Sequence, residues 1–398
     1  MCIRDSLNPV IEDIRTANNN NPTQADWALW LARWSRFSVN DFLRSTFRGV
    51  KEALENGTGV GSSQLWDPRV KELLRPLKKL LAWPEVAITG FSAYNYNPGL
   101  DISLAELLRD SLGFWWEDPM HTFQGGMHSL PIAFMGPNIK GWNHDINLSK
   151  NITFGAQAHR VYHGEGCQGA GVRLLARNAT TQQKLDTMFS GDAMVMTLPL
   201  NIIRQTAFFP PLDSSLADSL TEVYYSPSTK IMLQCKTKFW EKLGLYGGFS
   251  FTNLPIGQIH YPTNTECNPD PDERGVLMCY TWKEDALLFG SQSEQNAIAE
   301  AVDELHEIHP EIIENFEVGG VKAWYSDVYS QGAFALLKPY EIQNVVFKLM
   351  RPYPREDPKI FFAGEAISFT NGWIQGALES GLRAAYQFYV RNEVKYST

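Results

Sequence analysis

Apolar residues recur at helical spacing over the first quarter of the chain. Between Ala25 and Leu112, large apolar side chains return every three or four residues, which predicts amphipathic helices that each bury one face. Ser38 precedes a second run of this kind and suits the N-cap of a helix. The tryptophans of ADWALWLARWSRF lie on the apolar stripe, and a packed core explains them better than an aromatic cofactor box. We therefore predict a helical subdomain over residues 1–115.

The pattern changes to that of β-strands after Trp116. NITFGAQAHRVYH and AGVRLLARN read as two strands, and GDAMVMTLPL reads as a buried strand that runs into a loop. Later segments alternate apolar and polar residues as strands of an antiparallel sheet do. These segments are KIMLQCKTKFWE, GQIHYPT, GVLMCYTW and VKAWYSD. The helix QNAIAEAVDELHEIH and a final βα unit, KIFFAG followed by ALESGLRAAYQFYV, complete a chain of mixed α/β and α+β class.

Composition narrows the functional classes. The chain has 398 residues with 44% apolar and 20% charged residues, which indicates a globular protein of two or three domains. Its net charge of −9 argues against a general binder of nucleic acid or anionic membranes. Apolar runs stay below the ~18 residues that a transmembrane span needs. The five cysteines are scattered without metal-ligand spacing, so we predict no metal site.

One glycine pattern is a decoy. Gly164, Gly166 and Gly169 in HGEGCQGAG satisfy G-x-G-x-x-G, a pattern that indicates dinucleotide binding only between a strand and a helix. The residues that follow, GVRLLARN, are strand-like. We therefore predict a hairpin turn at this point rather than a phosphate-binding loop.

The C-terminal stretch FFAGEAISFTNGWIQGALESGLRAA, residues 361–385, carries the candidate chemistry. Gly364 allows a ligand to approach the backbone, and the Glu365 carboxylate can accept from a sugar-like hydroxyl. Gly372 leads into a helix whose first N–H groups are free to face an anionic group. The alternative is an ordinary packing turn between strand and helix, with Glu365 as a cap.

Together with other motifs, this stretch resembles the flavin-containing amine oxidases, most closely the L-amino-acid oxidases. The resemblance runs in order through more than half of the chain. The motifs are GGMHSLP (125–131), TLPLNIIRQTAFFPPL (197–212), TKIMLQCKTKFWE (229–241), GGFSFTNLP (247–255), GVLMCYTW (275–282) and AWYSDVYSQGAF (323–334). The resemblance implies FAD as cofactor. It also implies an incomplete Rossmann-like FAD-binding domain at 116–224 and 346–398, and an antiparallel substrate-binding domain at 225–345.

The chain departs from the family at its front. Family members begin with a βαβ unit that carries the ADP-binding glycine loop, followed by a glycine-rich motif whose arginine commonly binds the substrate carboxylate; neither is present here. The first six residues, MCIRDS, look like a foreign leader and offer no sensible helix start. We expect an N-terminally truncated sequence; a chain that never carried the unit is the alternative. Either way, FAD binding by these residues alone is an open question.

The resemblance assigns catalytic and substrate-binding roles. The lysine of the matching T-K-I segment, Lys230 here, holds a water beside flavin N5 in the family. An edge-strand charge is the ordinary reading of such a lysine. The position of Tyr280 hydrogen-bonds a substrate carboxylate, and that of Phe334 contacts the substrate side chain. Gly372 and Trp373 line the substrate pocket.

The resemblance also assigns cofactor contacts. The strand around Ala158 supplies backbone hydrogen bonds on the adenine side, and Trp324 packs against the flavin. Gly364 and Glu365 lie near the ribityl chain. The residues placed at the pyrimidine edge of the flavin are Trp373, Ile374 and Gln375.

The implied reaction is oxidative deamination of an L-amino acid to a 2-oxo acid, ammonia and hydrogen peroxide, by hydride transfer to flavin N5 with O₂ as the oxidant. Three alternatives stay open: a polyamine or monoamine oxidase, an amide-forming amino-acid monooxygenase, and a flavin-free inactive homologue. The sequence is compatible with a homo-oligomer, and both secreted and cytoplasmic locations stay open.

Overall fold

The structure is a computed structural model. It describes residues 3–57, 62–79, 82–94, 100–113, 123, 125–136, 148–164, 167, 171–262 and 271–391. The predicted domain boundary at 115 and two glycines of the decoy pattern, Gly166 and Gly169, lie outside the described residues.

The first part of the chain is helical, as predicted. Thr23 and Asp26 form a capping box at the start of the second helix, and the Ser38 hydroxyl accepts from Asp41 N at the start of the third. Trp30 and Trp34 are fully buried, which confirms the predicted packing role for these two, whereas Trp27 is 39% exposed and the prediction was wrong for it. The helices are α1 (Ile3–Arg15), α2 (Gln24–Trp34), α3 (Val39–Arg44), α4 (Phe47–Glu55), α5 (Ser62–Leu65), α6 (Pro68–Leu73), α7 (Glu85–Tyr94) and α8 (Leu104–Gly113).

The prediction that residues 1–6 offer no helix start was wrong. Helix α1 begins at Ile3, although Pro9 lies inside it. Leu7, Val10 and Ile14 are buried and share one face of this helix. Because α1 packs against α2 and α6, burial of this apolar face outweighs the missing start signal.

Two short β-systems follow the helical part. The strands β1 (Ala156–His163), β2 (Val172–Asn178) and β3 (Lys184–Gly191) are antiparallel neighbours, and β5 (Ala207–Phe209) runs parallel to β1 at the edge. β1 and β2 are antiparallel neighbours, so a strand rather than a helix follows the decoy glycines, as predicted. β4 (Met194–Met196) pairs in parallel with the C-terminal strand β13 (Ile360–Phe362). Three short helices belong to this part of the chain: α9 (Ser129–Ala133) precedes β1 in the sequence, and α10 (Leu200–Ile203) and α11 (Ser214–Glu222) flank β5.

A five-stranded antiparallel sheet forms the centre of the later region, with the strand order β11-β7-β10-β9-β8. Its strands are β7 (Ser228–Cys235), β8 (Phe249–Phe251), β9 (Gln258–His260), β10 (Gly275–Trp282) and β11 (Phe316–Ala323). The predicted strand VKAWYSD was right only for its first three residues, because Trp324–Ser326 form a 3₁₀ turn. Two-residue strands β6 (Tyr224–Tyr225) and β12 (Ala335–Leu336) pair with each other outside this sheet.

Alternation along the strands gives this sheet two different faces. Ile231, Leu233, Leu277 and Cys279 are fully buried on one face. That face packs under α13 (Lys283–Ser291) and α14 (Glu294–His306). The other face carries Lys230 and its cross-strand neighbours and is less completely buried. The short helices α12 (Phe239–Lys242) and α15 (Ile312–Asn315) add buried side chains to the same core.

The chain ends with the predicted βα unit. A π-helical turn at Ile342–Val346 continues into α16 (Phe347–Leu349), and β13 then leads through the Gly364–Glu365 turn into α17 (Ile374–Tyr389). One buried cluster combines residues of the N-terminal helices with β1, β4, β12 and β13. The mixed α/β and α+β class is therefore confirmed. No helix in the described part of the chain has the length and apolarity that a membrane crossing requires.

Candidate active site

The less buried face of the five-stranded sheet carries two predicted site residues, and a series of contacts leads from them to a third. The strand register places Tyr280 directly opposite Lys230, and Lys230 Nζ lies 4.7 Å from the centroid of the Tyr280 ring. The Tyr280 ring in turn packs 4.3 Å from Trp282, centroid to centroid. Trp282 meets Phe334 edge-on at 5.4 Å. One continuous series of contacts therefore runs from Lys230 to Phe334.

The series continues into the C-terminal motif at Gly372. This residue has a φ of +78°, and a β-carbon there would lie 3.3 Å from the Phe334 ring. Both the left-handed backbone and the close ring favour glycine. Trp373, the next residue, is the N-cap of α17, and its side chain makes no capping hydrogen bond. The structure thus brings together Lys230, Tyr280, Phe334, Gly372 and Trp373.

Glu365 holds the turn beside Gly372. One carboxylate oxygen accepts from Gly372 N at 2.6 Å and the other from Ala335 N at 3.2 Å. Gly364, in the left-handed region at φ +136°, donates its N–H to Ser380 Oγ at 2.8 Å. Enclosure of the carboxyl group raises the pKa of Glu365 to about 7, although the two N–H bonds act in the opposite direction. Glu365 is therefore built into the turn and spans two segments of the site.

Desolvation tunes the basic groups of the sheet face. Burial lowers the pKa of Lys230 from its ordinary value. Burial, followed by the charge of Lys230, lowers the pKa of His260 to about 4. The His260 ring lies 6.1 Å from the Tyr280 ring, and its Nε2 donates to Gln258 Oε1 at 3.1 Å. His260 is therefore neutral at neutral pH and belongs to the same surface.

Sequence reasoning missed His260 and Trp282 as members of the site. Trp282 lies two residues after Tyr280 on β10, so strand alternation alone places both side chains on one face. His260 sits on β9, whose pairing with β10 sets Met278 opposite it. That pairing partner cannot be read from either strand alone. Trp282 had a usable local signal, whereas His260 depended on the register.

Two residues of the first turn of α17 are exposed. Ile374 is 47% exposed, Gln375 is also exposed, and the side chain of the N-cap residue Trp373 makes no capping hydrogen bond to this end of the helix. A helix N-terminus of this kind stabilises nearby negative charge by about 0.3–2 kcal/mol. Reduced flavin carries negative charge at its pyrimidine edge. The open N–H groups, the glycine at 372 and the adjoining aromatic face therefore fit the flavin end of FAD.

The two remaining predicted cofactor residues lie on other elements of the fold. Trp324 is in the 3₁₀ turn that follows β11, with Lys322 Nζ 5.1 Å from its ring centroid. Ala158 lies on β1 opposite Ala176, beside a bulge, and thus in the sheet that contains β2 and β5. Their roles at the flavin and at the adenine stay predictions.

Metal ligands are not grouped in the part of the chain that the structure describes. No group of three or more His, Cys, Asp or Glu side chains among those residues could hold a metal ion.

Comparison with known proteins shows the family to which this chain belongs. A sequence model described as flavin containing amine oxidoreductase matches residues 63–387. The chain belongs to this family, and FAD is the family's cofactor.

Individual relatives carry L-amino-acid oxidase names. YobN of Bacillus subtilis (strain 168), which bears such a name, is 32% identical over 295 residues, covering 72% of this chain and 56% of that protein. The L-amino-acid oxidase of Bothrops atrox is 27% identical over 305 residues, covering 76% and 55%. The chain thus spans about half the length of these curated relatives.

A solved structure shares the fold. Putrescine oxidase, solved with putrescine bound, aligns with a TM-score of 0.51 at 18% sequence identity, covering 67% of this chain and 53% of that chain. At this identity the likeness concerns the fold alone.

Proposed function

We propose that the protein containing this chain oxidatively deaminates an L-amino acid to a 2-oxo acid, ammonia and hydrogen peroxide. The observation that carries the proposal is the contact series from Lys230 through Tyr280, Trp282 and Phe334 to Gly372. It ends at the uncapped N-terminus of α17. Family membership and relatives that bear L-amino-acid oxidase names support the same reaction.

The domain division is part of this proposal. Residues 116–224 and 346–398 would form the FAD-binding domain and residues 225–345 the substrate-binding domain, with the helical subdomain at 1–115. FAD would be held by the Gly364–Glu365 turn, by Trp373 to Gln375, by Trp324 and by the strand around Ala158. When bound, it supplies the two-electron oxidation and the reaction with O₂.

The chain's own residues would bind and orient the substrate. The Tyr280 hydroxyl would donate to the substrate carboxylate. Phe334 and Trp282 would pack against its side chain and keep water away from the reacting carbon. Lys230 would hold a water beside the reacting atoms, and its lowered pKa suits a role in moving a proton.

The same geometry favours one class of substrate. An aromatic wall favours an apolar or aromatic side chain. The positive charge of Lys230 beside Tyr280 disfavours a substrate that carries a second ammonium group. We therefore expect phenylalanine to be oxidised in preference to lysine and spermidine.

The test uses purified full-length protein loaded with FAD. Phenylalanine, lysine and spermidine are compared under air, with 2-oxo acid, ammonia and peroxide measured separately. A preference for spermidine would replace the proposal with a polyamine oxidase, and an amide product would indicate a monooxygenase. Protein that binds no flavin and stays colourless would indicate an inactive homologue.

Lys230 is tested by a matched pair of variants. Lys230→Met keeps the length of the side chain but removes its charge and its hydrogen-bonding groups, and we expect turnover to fall about 100-fold, as for loss of a general acid–base group. Lys236→Met is the control, because Lys236 follows the same strand but bonds to Glu314 O on the surface. Equal turnover in both variants would remove Lys230 from the mechanism.

A further inference from the structure

A side chain from the N-terminal helical part of the chain reaches the candidate active site. Arg109 of α8 donates through Nη1 to Asn371 Oδ1 and through Nη2 to Asn371 O at 3.3 Å. The two residues are 262 positions apart in the sequence. Asn371 is only 4% exposed and directly precedes Gly372. One guanidinium group thus holds both the side chain and the backbone of a residue in the site loop.

Asn371 is held from a second direction as well. Its Nδ2 donates to Ala335 O at 2.9 Å, and the N–H of the same Ala335 donates to Glu365. The other Glu365 oxygen accepts from Gly372 N. Asn371 and Gly372 are therefore fixed to α8, to β12 and to the Glu365 turn, immediately before Trp373 and the open end of α17.

The guanidinium group is itself oriented. Arg109 Nη1 lies 2.9 Å from Glu106 Oε2, one turn earlier on α8, with side-chain exposures of 17% and 5%. Because both ions are largely buried, this pair restricts the arginine to one direction. The planar fork can then meet two acceptors of Asn371 at once, a geometry that a lysine ammonium cannot reproduce.

We propose that Arg109 is a positioning residue for the site: it fixes the Asn371–Gly372 segment and so the placement of Trp373 and of the first turn of α17. The importance of that placement for catalysis rests on the proposed function. The claim that Arg109 fixes the loop does not rest on the proposed function, because the order of the loop can be measured without turnover.

The test compares amide hydrogen exchange in the peptide 371–376 with steady-state kinetics. In Arg109→Ala, we expect the Gly372 amide of this peptide, which donates to Glu365, to exchange about 10-fold faster, in keeping with the loss of charge-assisted hydrogen bonds. Added guanidinium ion should restore slow exchange. In the loaded enzyme, kcat should fall more than KM rises, because the reacting geometry is loosened while the aromatic pocket remains.

Arg36→Ala is the control variant. Arg36 lies in the same helical part and bonds only within it, to Ala32 O and Ala53 O, among the bonds described for its side chain. It should leave exchange at 371–376 unchanged. If Arg109→Ala does not fold, Arg109→Lys should give an intermediate increase in exchange.

Wild-type exchange in both Arg109 variants, or an equal increase in Arg36→Ala, would overturn the proposal. If the wild-type protein oxidises no amine, the proposed function fails while the exchange comparison still decides the role of Arg109.

Discussion

Replacement of Glu365 by glutamine tests whether the turn at the site is held by a buried carboxyl group. In the folded protein, the pKa of Glu365 rises from the ordinary 4.5 to about 7. A difference of about 2.5 pKa units, at 1.36 kcal/mol per unit, corresponds to about 3 kcal/mol. Because the folded pKa is raised, the group's contribution to stability is full below pH 4.5 and is lost as the pH rises through 7.

Glutamine cannot ionise, so Glu365→Gln should lack this pH dependence. Its amide nitrogen would face either Ala335 N or Gly372 N and leave one buried N–H without an acceptor, at a cost of about 1–3 kcal/mol. At pH 4.5 the wild type should therefore be the more stable protein. Between pH 4.5 and 8, its advantage in the free energy of unfolding should shrink by about 3 kcal/mol and disappear or reverse.

The assay is urea unfolding of the wild type and variant over this pH range. All other titrating groups cancel in the difference between the two proteins. Glu379→Gln provides a control, since Glu379 is an exposed carboxylate on α17 that accepts from Gln375 Nε2 and Thr370 Oγ1 and from no backbone N–H described here. A difference between wild type and Glu365→Gln that stays constant from pH 4.5 to 8 would show that the carboxyl group is not buried as described.

Further predictions concern the helix and the sheet face. Gly376→Ala should destabilise the fold by about 1–3 kcal/mol, because a β-carbon would lie 2.1 Å from Thr370 O. Gly381→Ala, on the same helix with open space around it, should instead stabilise by about 1 kcal/mol; thermal unfolding of the pair checks this, and equal shifts would contradict it. Because burial lowers the pKa of His260 to about 4, the folded protein should lose stability as the pH falls from 6.5 to 4. Relative to His260→Gln, the loss in urea unfolding should reach about 3 kcal/mol; parallel pH profiles would contradict the burial of the imidazole.

Local patterns were sufficient for most elements. The spacing of Trp30 and Trp34 identified the helical part, and alternation along GVLMCYTW identified β10, because both periods are properties of a single segment. The sequence likewise predicted a strand, the Gly364–Glu365 turn and a helix, in that order, at the end of the chain. Helix α1 was missed because its signal is an apolar face that acquires meaning only when α2 and α6 cover it.

The residues of the candidate site also divide into those that the sequence predicted and those that only the tertiary structure identified. The sequence alone, through its motifs, determined the family and predicted the Gly364–Glu365 turn, Lys230 and Tyr280 as parts of the site. Only the tertiary structure decided that His260 joins them, that Glu365 spans two backbone N–H groups, and that Arg109 reaches Asn371. The physical reason is that periodicity and turn chemistry act within a few residues, whereas these contacts depend on strand register and on helix packing between distant segments.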